Sequence, residues 1–356
     1  MPPICQISET LLPPGVRAVV IENDRLAATV LLDQGADIYA LVYKPRGVDV
    51  LWKSANGLRA GERGVPPGEA STDAWLKSYS GGWQTIFPNG GGPNVHNGQQ
   101  HSFHGEAAVT AWQHQIVNAG PEAAELRLSV NLAHSPFRVE RTLRVEAGRP
   151  VLFLHEQVTN LSDAPQDYMW GQHPAYGAPF ISPAVRLDTG AQTLWADESV
   201  GGPVNPLTSG ERYPWPIPAT AGAAAAVNTM PDQATPRGLM GYFMDFTSGW
   251  YALTNTELGF GVGLAWPRAV YPYAWFWQEM HASDGFPWNK QAYVMAVEPF
   301  TSIPGHGLAA VARKTGTQRT LAPGATAAVD VAVTFYESRL GVEHIAPDGT
   351  VRLKTA

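Results

Sequence analysis

Residues 125–132 read ELRLSVNL and residues 137–146 read FRVERTLRVE. In the first stretch Leu126, Leu128, Val130 and Leu132 alternate with Glu125, Arg127, Ser129 and Asn131. In the second, Phe137, Val139, Leu143 and Val145 alternate with Arg138, Glu140, Thr142, Arg144 and Glu146. A period of two with one apolar face is the pattern of a half-buried antiparallel strand. It returns near the C-terminus at Val329, Val331, Val333 and Phe335. Outward from these, short runs rich in Val, Tyr, Trp and Phe and bounded by Gly, Pro, Asn and Asp predict many more strands. They lie at 17–22, 26–32, 36–43, 107–117, 150–159, 165–173, 239–246, 249–255, 259–265, 273–279, 291–298 and 306–313. Only residues 71–79 suggest a helix, and a short one. So many strands and almost no helix imply an all-β sandwich or barrel. No repeat of fixed period marks a propeller, and no linker divides the chain. A single domain over 1–356 is expected, with long loops at about 53–104 and 196–237. Irregular stretches of that length are often functional.

Composition removes several classes of function. The formal net charge is -7 and no basic run exists, which argues against nucleic acid and an anionic membrane surface as partners. Hydrophobic residues at 44% exclude disorder as a whole-chain answer. The one cysteine, Cys5, cannot form an internal disulfide. The N-terminal residues show no signal-peptide pattern, and no apolar run approaches a membrane span. A cytoplasmic protein is the expectation.

Three places could carry chemistry. The first is GGWQTIFPNGGGPNVHNGQQHSFHGE (81–106), with His96, His101 and His104. The second is WGQHPAYG (170–177), where His173 and Pro174 suggest a turn at a strand end. The third is Glu298 in AYVMAVEPF, a carboxylate after mostly apolar strand residues. Desolvation there would raise its pKa, which suits a base working near neutral pH. The three loop histidines lack a carboxylate or cysteine at metal-ligand spacing, so no metal is expected. His101 reads as a surface-loop residue. GxSxG is absent, and no glycine-rich loop opens a helix after a strand. What remains is a His and Glu pair among tryptophans, and flat apolar rings beside polar groups suit a sugar.

The motifs stand in the order found in the aldose 1-epimerases, the galactose mutarotase-like superfamily. FHGEAAVTAW (103–112) resembles that family's Leu-His-Gly segment, and TNLSDAPQDYMWGQHPAY (159–176) is similar to its Thr-Asn segment leading to His-Pro. VEPFTSIP (297–304) resembles its late Glu motif, and QGADIYALVYKPRGVDVLW its opening strand and hairpin. The resemblance implies a large antiparallel β-supersandwich with a sugar cleft. It implies a cofactor-independent isomerase in which His173 donates a proton to the ring oxygen, Glu298 takes one from the anomeric hydroxyl, and His104 binds sugar oxygens. Trp83, Gln84, Asn89, His96, Tyr176, Trp277, Gln278 and Glu279 are the expected sugar contacts.

The chain departs from the family in one respect. SGGWQTIFPNGG has no arginine where the family carries one that grips the sugar. The family's middle aspartate has no clear counterpart, Asp232 being a candidate by spacing. Two alternatives therefore stay open: a carbohydrate-binding protein without turnover, or a lyase or hydrolase using Tyr176 or Glu279. A phosphosugar is disfavoured because the motifs hold no Arg/Lys cluster, although Arg59 and Arg63 lie in the first loop.

Overall fold

The computed structural model describes residues 5–59 and 67–356; Arg63 and part of the 53–104 stretch lie outside them. Two large sheets, antiparallel throughout the described pairings, dominate, and helix is scarce. The larger is twelve-stranded. From one edge it runs Gln6–Leu12, Val16–Glu22, Leu26–Leu31, Ile38–Tyr43, Trp83–Ile86 and Gly171–Gly177. It continues through Tyr293–Phe300, Tyr273–Met280, Arg237–Met244, Thr193–Ala196 and Arg212–Pro214, with Val48–Asp49 beside Ile38–Tyr43. The second, eight-stranded, runs Val185–Thr189, Gly249–Asn255, Phe260–Trp266, Thr326–Glu337, Val151–Asn160, Phe137–Glu146, Ala123–Asn131 and Gln113–Ala119.

The alternation that predicts these strands also explains how the sheets join. Leu126 pairs with Leu143 and Val130 with Val139, so the apolar sides of Ala123–Asn131 and Phe137–Glu146 form one buried face. It shares a core with inward residues of the larger sheet, among them Ile21, Leu41, Trp83, Met295 and Val297. Tyr43 stacks on Phe335 at 5.0 Å between ring centres, and the Tyr176 and Tyr251 hydroxyls meet at 2.7 Å. These contacts tie one sheet to the other.

Arg141 falls on the apolar face of its strand and is fully buried, as is Glu156 of Val151–Asn160. Their ion pair measures 2.7 Å. Glu156 also accepts from Thr85 Oγ1 at 2.9 Å, Trp170 Nε1 at 2.7 Å and Gln172 Nε2 at 2.8 Å. One carboxylate of the smaller sheet thereby holds three side chains of the larger one's central region. Trp170 is fully buried.

Some expectations need correction. Residues 306–313 are no strand; Leu308–Lys314 is a short helix. A run as short as LAAVARK fits either structure by periodicity, and distant side-chain oxygens decide it. Asn89 Oδ1 and Asn94 Oδ1 accept from the backbone N–H groups of Leu308 and Ala309 at 2.8 and 3.2 Å. His173 and Pro174 make no turn but lie inside the Gly171–Gly177 strand. The 107–117 candidate divides into a 3-10 turn, Ala107–Val109, and the strand Gln113–Ala119. The long loops are partly ordered: the helix Ala70–Ser78 and three short strands lie in the first, and a short strand and a 3-10 segment in the second.

Candidate functional site

Register assembles the site. In the larger sheet Gly171 pairs with Phe300 and Ala175 with Ala296, which sets His173 opposite Glu298. Gln84 pairs with His173 on one side, and Trp275 with Glu298 on the other. Trp275 pairs with Tyr242, and Tyr242 with Trp195. Paired residues of antiparallel strands point to the same face. One row across six neighbouring strands thus reads Gln84, His173, Glu298, Trp275, Tyr242, Trp195. It lies on the face turned away from the smaller sheet.

His173 Nε2 and Glu298 Oε1 stand 3.6 Å apart, both side chains nearly excluded from solvent. Nδ1 of His173 and Oε2 of Glu298 are buried without a hydrogen-bond partner in the protein. Buried polar atoms are normally paired, so two such atoms on facing groups point to a site that meets a ligand. Burial pushes Glu298 well above the usual carboxylate range and His173 down to about 3. Both shifts favour the uncharged forms, an imidazole without its extra proton and a carboxyl that keeps one.

His104 reaches the same place from a loop. Its backbone is left-handed (φ 54°), and its N–H donates to Gly91 O at 2.9 Å while its Nδ1 accepts from Gly91 N at 3.1 Å. That bond assigns the ring proton to Nε2. Burial, then the nearby His173, holds the ring neutral by lowering its pKa well below the usual range. Glycine is required next: a Cβ on Gly105 (φ 78°) would stand 2.3 Å from Phe87 O.

His104, His173, Glu298 and Trp277 line a common cavity of about 320 Å³. Trp277 lies 5.8 Å from His173 and 5.3 Å from Trp288, and Trp75 stands 4.8 Å from His104. No Arg or Lys lines the cavity among the described residues. Beyond Glu298 the wall continues with Tyr242, Asp197, Ser199 and His306. Sequence reasoning missed Asp197, His306, Trp75 and Trp288. The only signals were an aspartate just past the strand Thr193–Ala196 and a PGHG turn following the Glu298 motif.

The other expected contacts do not meet there. Trp83 and Tyr176 face the opposite side: Trp83 Nε1 donates to Gln172 Oε1 at 2.9 Å, and Tyr176 reaches Tyr251. Gln84 shares the row with His173, but its amide donates to Asp37 at 2.8 Å. Asn89 is fully buried and ties the loop to the Leu308–Lys314 helix. His96 pairs with Asp167 at 2.8 Å, and His101 is buried rather than on the surface. Gln278 packs against Met230 and faces Arg237. The Glu279 carboxylate accepts from the backbone N–H of Ala282 and Ser283 and from the Ser283 hydroxyl, closing a turn. Neither Tyr176 nor Glu279 lines the cavity, which removes the residues a lyase or hydrolase reading used. Asp232 is exposed and lies away from the cleft, as does Arg59.

Asn89→Ala is expected to cost about 1–3 kcal/mol, because it leaves buried backbone groups unpaired. Urea unfolding checks this, and an unchanged midpoint would show that Asn89 does not hold the loop.

A family model described as Domain of unknown function (DUF4432) matches residues 14–335. No curated protein matches the chain in sequence. Among solved structures, a candidate aldose 1-epimerase from Klebsiella pneumoniae superposes with a TM-score of 0.70 at 18% identity, covering 94% of this chain and 84% of that one. A protein from Synechocystis sp. PCC 6803 gives 0.65 at 14% identity, with 92% and 99% covered. A galactose mutarotase-like protein from Clostridium acetobutylicum gives 0.63 at 14%, with 94% and 99% covered. These similarities establish a shared galactose mutarotase-like β-supersandwich fold.

Proposed function

Since this chain belongs to the DUF4432 family and has the galactose mutarotase-like fold, we propose that it is an isomerase interconverting the anomers of a sugar. The observation that carries this reading is the His173–Glu298 pair, 3.6 Å apart in an aromatic cleft with unpaired buried atoms on both groups. Anomer exchange needs one proton delivered to the ring oxygen and one removed from the anomeric hydroxyl, then the reverse on reclosure. A pair sharing a single proton performs both halves. In the reacting form the proton has passed from Glu298 to His173; the imidazolium then protonates the ring oxygen and Glu298 takes the hydroxyl proton. After ring opening the proton rests on Glu298, and rotation about C1–C2 followed by the reverse transfers closes the other anomer. His104 Nε2–H is placed to donate to a sugar oxygen, and Trp277 and Trp288 offer apolar faces to the ring.

Anomer equilibration of an aldose panel, followed by NMR or polarimetry, tests the reading. Acceleration over buffer for at least one sugar is expected, and none for any would remove it. A cleft wall without Arg or Lys among the described residues favours a second reading, sugar binding without turnover. Calorimetric binding with no rate above background would select that one. Sugar phosphates are expected to bind less well than free sugars, because no Arg or Lys among the described residues of the wall meets the charge.

The pH profile follows from the shared proton. With ordinary pKa values the one-proton state would exist only between about 4.3 and 6.5. Here the second proton enters His173 only near pH 3, and the last one leaves Glu298 well above the carboxylate range. kcat/KM is therefore expected to show no loss on acidification down to about pH 5, and a loss with a midpoint near 6.5 as the pH falls would contradict this arrangement.

A further inference from the structure

The cleft wall beyond Glu298 holds a second His–carboxylate pair that proton transfer does not use. Asp197 is nearly inaccessible (1% exposed) and accepts from five donors. They are Ser199 N at 2.7 Å, Ser199 Oγ at 2.6 Å, Val200 N at 3.1 Å, His306 Nε2 at 2.7 Å and the Tyr242 hydroxyl. Burial alone would raise its pKa. The bonds from His306, Ser199 and Tyr242 outweigh that and hold it ionised, below the usual range.

A carboxylate so occupied has no capacity left for a ligand. Its effect passes to His306, whose Nε2–H it fixes by accepting that proton. Nδ1 of His306 makes no hydrogen bond among the described residues, and the side chain is 21% exposed, at the cleft. The turn that carries it is held rigidly. Gly305 N donates to the Tyr242 hydroxyl at 2.9 Å, Gly307 N to Gly90 O at 2.8 Å, and Ile303 N to Thr317 Oγ1 at 3.1 Å. A Cβ on Gly91 would stand 2.0 Å from Gly305 O, so the two loops touch backbone to backbone.

We propose that His306, oriented by Asp197, is a sugar-binding residue that meets a ring hydroxyl of the substrate at Nδ1, on the part of the cleft wall beyond Glu298. The inference rests on the sugar reading of the cleft, and it assigns discrimination between sugars to a residue outside the proton-transfer pair. With Nε2 committed to Asp197, Nδ1 is the ring nitrogen left to meet a sugar hydroxyl. A sugar lacking that hydroxyl leaves the nitrogen unpaired and binds less well.

The test is calorimetric binding of the best aldose and its monodeoxy analogues to the parent, His306→Ala and Asp197→Asn. His306→Ala is expected to raise Kd for the parent sugar about tenfold, the effect of losing a hydrogen bond worth ~1.4 kcal/mol. It should also abolish the parent's preference against one particular deoxy sugar, a readout that a structural role would not move. Asp197→Asn should shift the same preference if it folds; His306→Ala, altering a partly exposed side chain, decides alone if it does not. An alanine variant that binds and discriminates as the parent does would overturn the proposal. A parent that binds sugar without accelerating anomer exchange removes the isomerase reading yet leaves this comparison decisive. A parent that binds no sugar removes both.

Discussion

Glu298→Gln is expected to slow anomer exchange by about 10²–10⁴-fold, the usual worth of a positioned acid–base group. Glutamine keeps the shape of the side chain and its place opposite His173, but it cannot take up and return a proton. The carboxyl is buried, and its Oε2 has no partner to lose. The variant should therefore melt at or above the parent temperature while the rate falls. His173→Ala should lose a similar factor. Because the two groups share one proton, the double variant should lose little more than either single one, as residues acting as a unit do. The measurement is anomer exchange by NMR at a fixed sugar concentration. Independent, multiplying losses would mean that the groups do not work together, and a Glu298→Gln rate equal to the parent's would remove the mechanism.

Arg141→Met carries the largest expected stability loss, about 3–5 kcal/mol, the usual cost of leaving a buried charge without its partner. Both groups of the Arg141–Glu156 pair are fully buried, so water cannot replace the guanidinium. Arg141→Met combined with Glu156→Leu should recover part of the loss, since the stranded charge is gone. It cannot recover all of it, because Thr85, Trp170 and Gln172 lose their acceptor. Gln172 and Thr85 flank the row that holds His173, so residual activity of the folded variants should fall as well. Chemical denaturation measures the first effect, and a change below about 1 kcal/mol would show the pair to be dispensable.

Much of this was legible in the sequence. The period-two runs name three strands of the smaller sheet, and runs rich in Val, Tyr, Trp and Phe name many of the larger one, though not Gln6–Leu12, Trp83–Ile86 or Thr193–Ala196; His104, His173, Glu298 and Trp277 line one cavity. The failures have physical causes. Reading His173 and Pro174 as a turn ended the strand too early and hid its parity. Once 171–177 is a strand, His173 facing the cleft obliges Tyr176 to face the core, and Trp277 obliges Gln278 likewise. The same rule places Arg141 on the buried face of FRVERTLRVE, where an ionised residue is admissible only with a partner that local sequence does not name. Asp197 and His306 lie 109 positions apart on two loops. No periodicity links them, because their meeting depends on how strands far apart in the chain are ordered in the sheet.

The row of paired residues across the larger sheet has an evolutionary corollary. His173 and Glu298 sit on interior strands whose register is locked on both sides, whereas His104, Asp197 and His306 are presented by connecting segments. If the cleft acts as proposed, reactivity and choice of substrate are inherited through different parts of the chain. Insertions and exchanges in the connections can retune which carbohydrate is accepted while the proton shuttle is passed on intact, and a laboratory graft of those segments should transfer preference between relatives without rebuilding the reaction.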